Sequence, residues 1–258
     1  MLLPKGIFVG INPASGRRPV RYAALDRDLR VVALDQGEIE QVLAFIGGAE
    51  TSVVGVNAPQ SLSKGLLQKT EIRVQFNLPA DGRRWREWRV CEFELRRRNI
   101  RLHSSPSRKK TAKAWIQAGF RVYRRLKEMG FAPLIADQRG ELPWLIETQP
   151  HACFTALLGH RPFFRSSLEG CLQRQLALYV EGVDISNPMH ALEEITRHHL
   201  LNGQLPLDSL YDVETLDALV AAYTAYLTAL KPEKSAQVGM PAEGLITLPT
   251  GEIKSHYA

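Results

Sequence analysis

The sequence predicts an α/β domain: a mixed sheet flanked by helices, with a basic segment inserted into it. Three observations carry this. Short β-branched runs alternate with stretches of helical periodicity along the chain. The first three runs are joined by tight links that suit antiparallel neighbours, and a helix before the fourth suits a parallel crossover. The strand–helix rhythm then breaks where positive charge accumulates.

GIFVGIN (6–12) reads as a strand ending in a Pro-Ala-Ser-Gly turn. YAALD (22–26) and VVALD (31–35), linked by RDLR, suit a hairpin. Ile39, Val42, Leu43 and Ile46 repeat at helical spacing and Gly47-Gly48 closes that helix; SVVGVN (52–57) follows as a strand. This is the opening order of the RNase H-like fold. Residues 60–112 form an excursion with some helix in WREWRVCEFELRRRN. Residues 113–129 give a helix in which Gly119 permits close packing. LPWLIETQP (142–150) is a buried strand, and HACFTALLG a short helix capped by Gly159. Residues 167–181, 188–201 and 213–230 read as helices, and GLITLP (244–249) as a last strand. One short echo stands out: FVGINPA (8–14) and VVGVNAP (53–59) both end a strand in Asn before a proline-containing turn.

A chain of 258 residues is read as one domain, 1–258, carrying the excursion at about 60–112. No run of about eighteen apolar residues points to a membrane span. The opening residues read as a strand rather than a signal peptide, which makes the cytoplasm the expected location. Cys91, Cys153 and Cys171 are far apart, without CxxC spacing, which argues against a disulfide framework and a zinc knuckle. The net charge of +6 is local: residues 83–110 hold eleven Lys and Arg against three Glu, a balance of +8, so the remainder carries −2. A local patch of this kind suits an anionic partner. Serine-hydrolase, P-loop and dinucleotide motifs are absent from the sequence.

Open α/β sheets place their sites at strand C-termini. Asn12, Asn57 and Glu147 each follow an apolar run and precede a proline-containing turn; each also suits a turn residue bonded to its own backbone. Asp217 sits at the flank of the apolar stripe in VETLDALVAAYTAYLTAL, on a helix with little surface suited to water. A carboxylate there needs a cation, a metal or a hydrogen-bond network. Glu92 and Arg96 have the spacing of a helical ion pair, with a place for Glu92 in the site as the alternative. Trp85 and Trp88, set between basic residues, suit either stacking on bases or anchoring the excursion.

At these residues the sequence resembles the domain of unknown function 429 family, predicted to be RNase H-like nucleases. The resemblance covers nearly the whole chain. It rests on the opening GIN, on NAP (57–59), and on RVCEFELRRRNI, IETQPHACFTALLG, LEGCLQRQLALY, EEITRHHLL and LDALVAAYTA. It implies metal-dependent phosphodiester hydrolysis of nucleic acid with Mg2+ or Mn2+, the metals held by Asn12, Glu147 and Asp217, with Asn57 and Glu92 as neighbours. Arg83, Arg84, Arg86, Arg89, Arg96, Arg97, Arg98, Lys109 and Lys110 would then track phosphates. The position where the family's first-strand Asp is expected is Asn12, which brings no charge to a metal. Two alternatives stand beside hydrolysis: an inactive nucleic-acid-binding relative, and a small-molecule or protein-binding module.

Overall fold

The computed structural model describes residues 6–13, 18–78, 85, 87–136, 140–205 and 207–258. β1 (Ile7–Asn12), β2 (Val20–Leu25) and β3 (Val31–Gly37) form an antiparallel meander. Helix α1 (Ile39–Gly48) then crosses over, and β4 (Thr51–Val56) returns parallel to β1. The excursion contributes α2 (Thr70–Gln75) and α3 (Val90–Arg97). Next come α4 (Ala114–Glu128), β5 (Ala132–Pro133), β6 (Trp144–Glu147), α5 (Pro150–Leu158) and α6 (Leu168–Val180). The chain closes with α7 (Met189–Glu194), α8 (Arg197–Leu201), α9 (Val213–Leu230), β7 (Ala236–Met240) and β8 (Gly244–Leu248). The sheet runs β3-β2-β1-β4-β6-β8-β7, with β5 beside β6, and mixes parallel with antiparallel pairs. The mixed sheet flanked by helices is therefore as the periodicity predicts.

Two cores cover the two faces of the sheet. Val9, Ile11, Val54 and Val56 point toward α1 and α4; Phe8, Val53 and Ile146 point toward α5, α6 and α9. Alternation along each strand produces this division. Helix α9 is buried from Thr215 to Thr228, in keeping with its Ala- and Thr-rich far side. It lies against β1, β2 and β4, with α5 and α6 on its other side.

The strand echo has a packing reason. Gly10 and Gly55 are partners in the β1–β4 register. A Cβ at residue 10 would sit 2.0 Å from the Ala218 carbonyl oxygen, and one at residue 55 would sit 2.8 Å from that of Ala221. The paired glycines let the α9 backbone approach the sheet, which brings Asp217 to the ends of β1 and β4. Gly119 does the same for α4, where a Cβ would meet that of Ala58 at 2.4 Å.

Two expectations need correction, and the choice left open for Trp85 and Trp88 falls to anchoring. Residues 188–201 form two short helices rather than one, because the Thr196 side chain caps a new start by accepting from the His199 amide. Strands β5 and β7 were not anticipated: β5 has two residues, and β7 has weak alternation that is stabilised by its pairing with β8. Trp85 and Trp88 do not stand free for bases. Trp85 packs edge-on to Phe93 at 5.1 Å, and Trp88 lies under the Arg96 guanidinium at 4.9 Å, inside a satellite cluster around Leu67 and Val90. Cys91 and Cys153 are buried and Cys171 half-buried, all three unpaired. Among the described residues, no helix is long and apolar enough to cross a membrane.

Candidate functional site

A cavity of about 500 Å3 opens where β1, β4 and β6 end, and Asn12, Asn57, Glu92, Glu147 and Asp217 all line it. The five site residues anticipated from the sequence thus meet in one place, at the carboxyl ends of parallel strands. Their roles differ from one another.

Asn57 is a clamp. Its Nδ2 donates to the Asp217 carbonyl at 2.6 Å, and its Oδ1 accepts from Thr148 Oγ1 at 2.6 Å. The amide thereby ties β4, the end of β6 and α9 together. Asn12 reaches the other side of the same turn, its Nδ2 donating to the Glu214 carbonyl at 3.4 Å. Helix α9 begins at Asp212, which accepts from the Thr215 amide at 2.7 Å and pairs with Arg21 at 2.8 Å.

Glu92 and Glu147 are bound to Arg89, which is 1% exposed. Its Nη1 and Nη2 donate to the two oxygens of Glu147 at 2.8 and 2.5 Å, and its Nε donates to Glu92 at 3.0 Å. The Gln60 amide adds a further bond to Glu147, and the Ser105 amide and hydroxyl add two to Glu92. The ion-pair partner of Glu92 is thus Arg89 and not Arg96, because Arg96 turns outward onto Trp88. Burial raises the Glu147 carboxyl above its ordinary range, with Arg89 pulling it back.

Glu243, in the β7–β8 turn, completes this buried knot and was not anticipated. It is fully buried and accepts from the Lys64, Leu66 and Val90 amides at 2.6, 3.2 and 3.1 Å. The signal in the sequence is slight, a lone acid in a Pro-Ala-Glu-Gly turn. Glu243→Gln places an amide donor against the Val90 donor and removes the charge, so we expect destabilisation of about 2 kcal/mol. Chemical denaturation of the two proteins measures it. An unchanged midpoint would show that the turn does not depend on this carboxylate.

Asp217 differs from the other carboxylates. It is 6% exposed, and Oδ2 accepts from the half-exposed Arg165 at 2.8 Å. Burial pushes its carboxyl up to about 7, against the pull of Arg165 and Arg174. It is therefore poised to hold or release a proton near neutrality. Two histidines on the cavity wall shift the opposite way. Burial lowers His151 to about 4, helped by Arg174, Arg161 and Arg165. His103 is lowered by burial, then by Lys113 and Arg165. Arg165 sits in an unpatterned loop, and no periodicity marks it. Arg174 leaves a trace, as a charge amid the apolar residues of LEGCLQRQLALY.

The described cations of the basic segment differ in their surroundings. Arg89 is buried among carboxylates, which removes it as a surface contact for phosphates. Arg97 donates to the Phe76 carbonyl and lies over Phe93, and Arg98 donates to the Glu94 carbonyl. Lys109 and Lys110 are exposed, with Lys109 on the rim of a second cavity beside Phe120 and Arg124. Arg83, Arg84 and Arg86 lie outside the described residues.

The donor set does not fit a bound Mg2+ or Mn2+. Glu92 and Glu147 have their oxygens taken by Arg89, Ser105 and Gln60, and Asn57 Oδ1 is taken by Thr148. Asp217, with Oδ2 already accepting from Arg165, and the neutral Asn12 remain. Among the described residues, no group of three or more His, Cys, Asp or Glu is arranged to hold a metal ion.

A family model described as a protein of unknown function (DUF429) matches residues 15–241. No curated protein and no solved structure matches the chain.

Proposed function

We propose that this chain, which belongs to the DUF429 family, binds a small molecule in the strand-end cavity and transfers a proton to or from it at Asp217. The observation that carries this reading is the Asp217 carboxyl, buried on the cavity wall and raised to about 7. A carboxyl poised near the working pH is the group general acid–base chemistry uses. The cavity volume, about 500 Å3, falls in the range of small-ligand sites. In this reading the chain works in the cytoplasm, where its unpaired cysteines stay reduced.

The test is turnover of a panel of small esters, amides and phosphate esters between pH 5 and 9. The expected result is a rate that inflects near pH 7 in the wild type and falls about 100-fold or more in Asp217→Asn. Turnover that Asp217→Asn leaves untouched removes the proposal.

A metal-dependent RNase H-like nuclease is the second reading. It is favoured by the meeting of Asn12, Glu147 and Asp217 around one cavity, and it requires Arg89 to release Glu147. Nucleic acid would then be the partner. Cleavage of oligonucleotides in Mg2+ or Mn2+ that is lost in both Glu147→Gln and Asp217→Asn, and increased in Asn12→Asp, would replace the first reading with this one.

A further inference from the structure

We propose that one end of the cavity, formed by Arg165, Arg174, His103 and His151, is an anion subsite that takes a phosphate monoester group of the ligand. The proposal deepens the small-molecule reading and rests on it.

Arg174 is the centre of the argument. It lines the cavity and is 2% exposed. Its Nη1 donates to the Gly170 carbonyl at 2.8 Å and its Nη2 to the Phe163 carbonyl at 3.1 Å, with the guanidinium 5.5 Å from the centre of the Phe154 ring. All of these partners are neutral. Among the described residues, no carboxylate pairs with Arg174 at ion-pair distance. Buried cations are ordinarily paired, because removing a charge from water is costly. A guanidinium has five N–H donors in a planar fork, and two carbonyl bonds leave capacity for an oxyanion.

Cations stand on several sides of Arg174, with Asp217 as the carboxylate that faces it and Glu214 beside Asp217 on the cavity wall. Among the described residues Arg165 has one ion-pair carboxylate, Asp217, and is itself half exposed. Desolvation and the facing cations lower both histidines: Arg174, Arg161 and Arg165 at His151, and Lys113 and Arg165 at His103. They act as internal reporters of a positive field. His151 stands in the first turn of α5, a nine-residue helix whose positive end meets the cavity through Thr148, Gln149 and Pro150.

A dianion matches this end better than a single carboxylate. Two guanidiniums supply more positive charge than one carboxylate neutralises, and the two imidazoles add N–H donors for further phosphate oxygens. Trp115 and Leu102 line the same cavity and leave an apolar wall for the rest of the ligand.

The experiment is a titration of the full chain with inorganic phosphate, followed through the imidazole signals of His103 and His151 by NMR across pH. We expect saturable binding that moves the His151 titration upward from about 4 by roughly one pH unit or more. Arg174→Met weakens phosphate binding about tenfold or more, and Arg174→Lys recovers part of the loss. Because truncation of a buried arginine endangers folding, Arg165→Gln is measured beside it and also weakens binding. Acetate binds at least about tenfold more weakly than phosphate. Equal binding of acetate overturns the phosphate assignment. Phosphate that leaves both histidine signals unmoved, or binds Arg165→Gln and Arg174→Lys as it binds wild type, overturns the subsite. Asp217→Asn keeps or strengthens phosphate binding, so loss of the proton-transfer reading and loss of the anion subsite register separately.

Discussion

Asp217→Asn raises thermal stability at pH 8, and the gain shrinks as the pH is lowered and vanishes near pH 4. The Asp217 carboxyl moves from 3.8 when unfolded to about 7 when folded, chiefly through burial. Between those values the folded chain holds a proton that the unfolded chain has released. The stability this proton confers is complete below the unfolded value and is lost as the pH rises through about 7. At pH 8 both states are ionised and the folded state carries a desolvated carboxylate. Raising a carboxyl from 3.8 to about 7 corresponds to about 4 kcal/mol. Asparagine keeps the shape without the charge, and the carbonyl that accepts from Asn57 belongs to the backbone and is unaffected. Arg165 loses a partner but is half exposed and is solvated instead. We therefore expect a gain of about 2–4 kcal/mol at pH 8, or roughly 5–10 °C in Tm. Differential scanning calorimetry at pH 4, 6 and 8 reads it. A variant less stable than wild type at pH 8 would show that the ionised carboxylate is stabilised by Arg165, and the proton-transfer role would fall with it.

Arg89→Met lowers stability by about 3–5 kcal/mol, the range for removing one partner of a buried ion pair. Two carboxylates depend on this guanidinium, and both it and they are nearly inaccessible to water. Methionine fills most of the space and supplies no donor. Glu92 keeps the Ser105 amide and hydroxyl, whereas Glu147 keeps the Gln60 amide alone among its bonded partners. The larger part of the loss thus falls on Glu147. Arg89→Met combined with Glu147→Gln should recover at least about 1 kcal/mol over the sum of the single changes, a coupling expected of residues in direct contact. Urea denaturation of the four proteins closes the cycle. A single variant within about 1 kcal/mol of wild type would mean that the carboxylates take up protons without penalty and that Arg89 is not the centre of the knot.

The elements around the site were legible because their signals are local. Ile39, Val42, Leu43 and Ile46 state a helix whatever they pack against, and Gly159 closes α5 with the left-handed turn its position suggests. Asp217 was legible by incongruity, an acid on a helix with no face suited to water, and the structure shows it buried. Asn12, Asn57 and Glu147 were legible as strand ends. Their pairings were not. Glu92 has Arg96 at helical spacing, yet Arg89 takes it, because α3 turns Arg89 inward to meet β6 while Arg96 is free to cover Trp88.

The chain's own residues, taken locally, determined most of the strands and helices and their order, and marked Asn12, Asn57, Glu147 and Asp217 as candidates. The tertiary structure alone decided which charges neutralise one another. Periodicity is a property of neighbours a few residues apart, but the Arg89–Glu147 and Arg165–Asp217 contacts span 58 and 52 residues. The direction in which burial moves a carboxyl depends on what surrounds it after folding. Glu147 lies between the Gln60 amide and a guanidinium and is bound into the knot. Asp217, with one half-exposed arginine, faces a cavity, and burial raises its carboxyl to about 7.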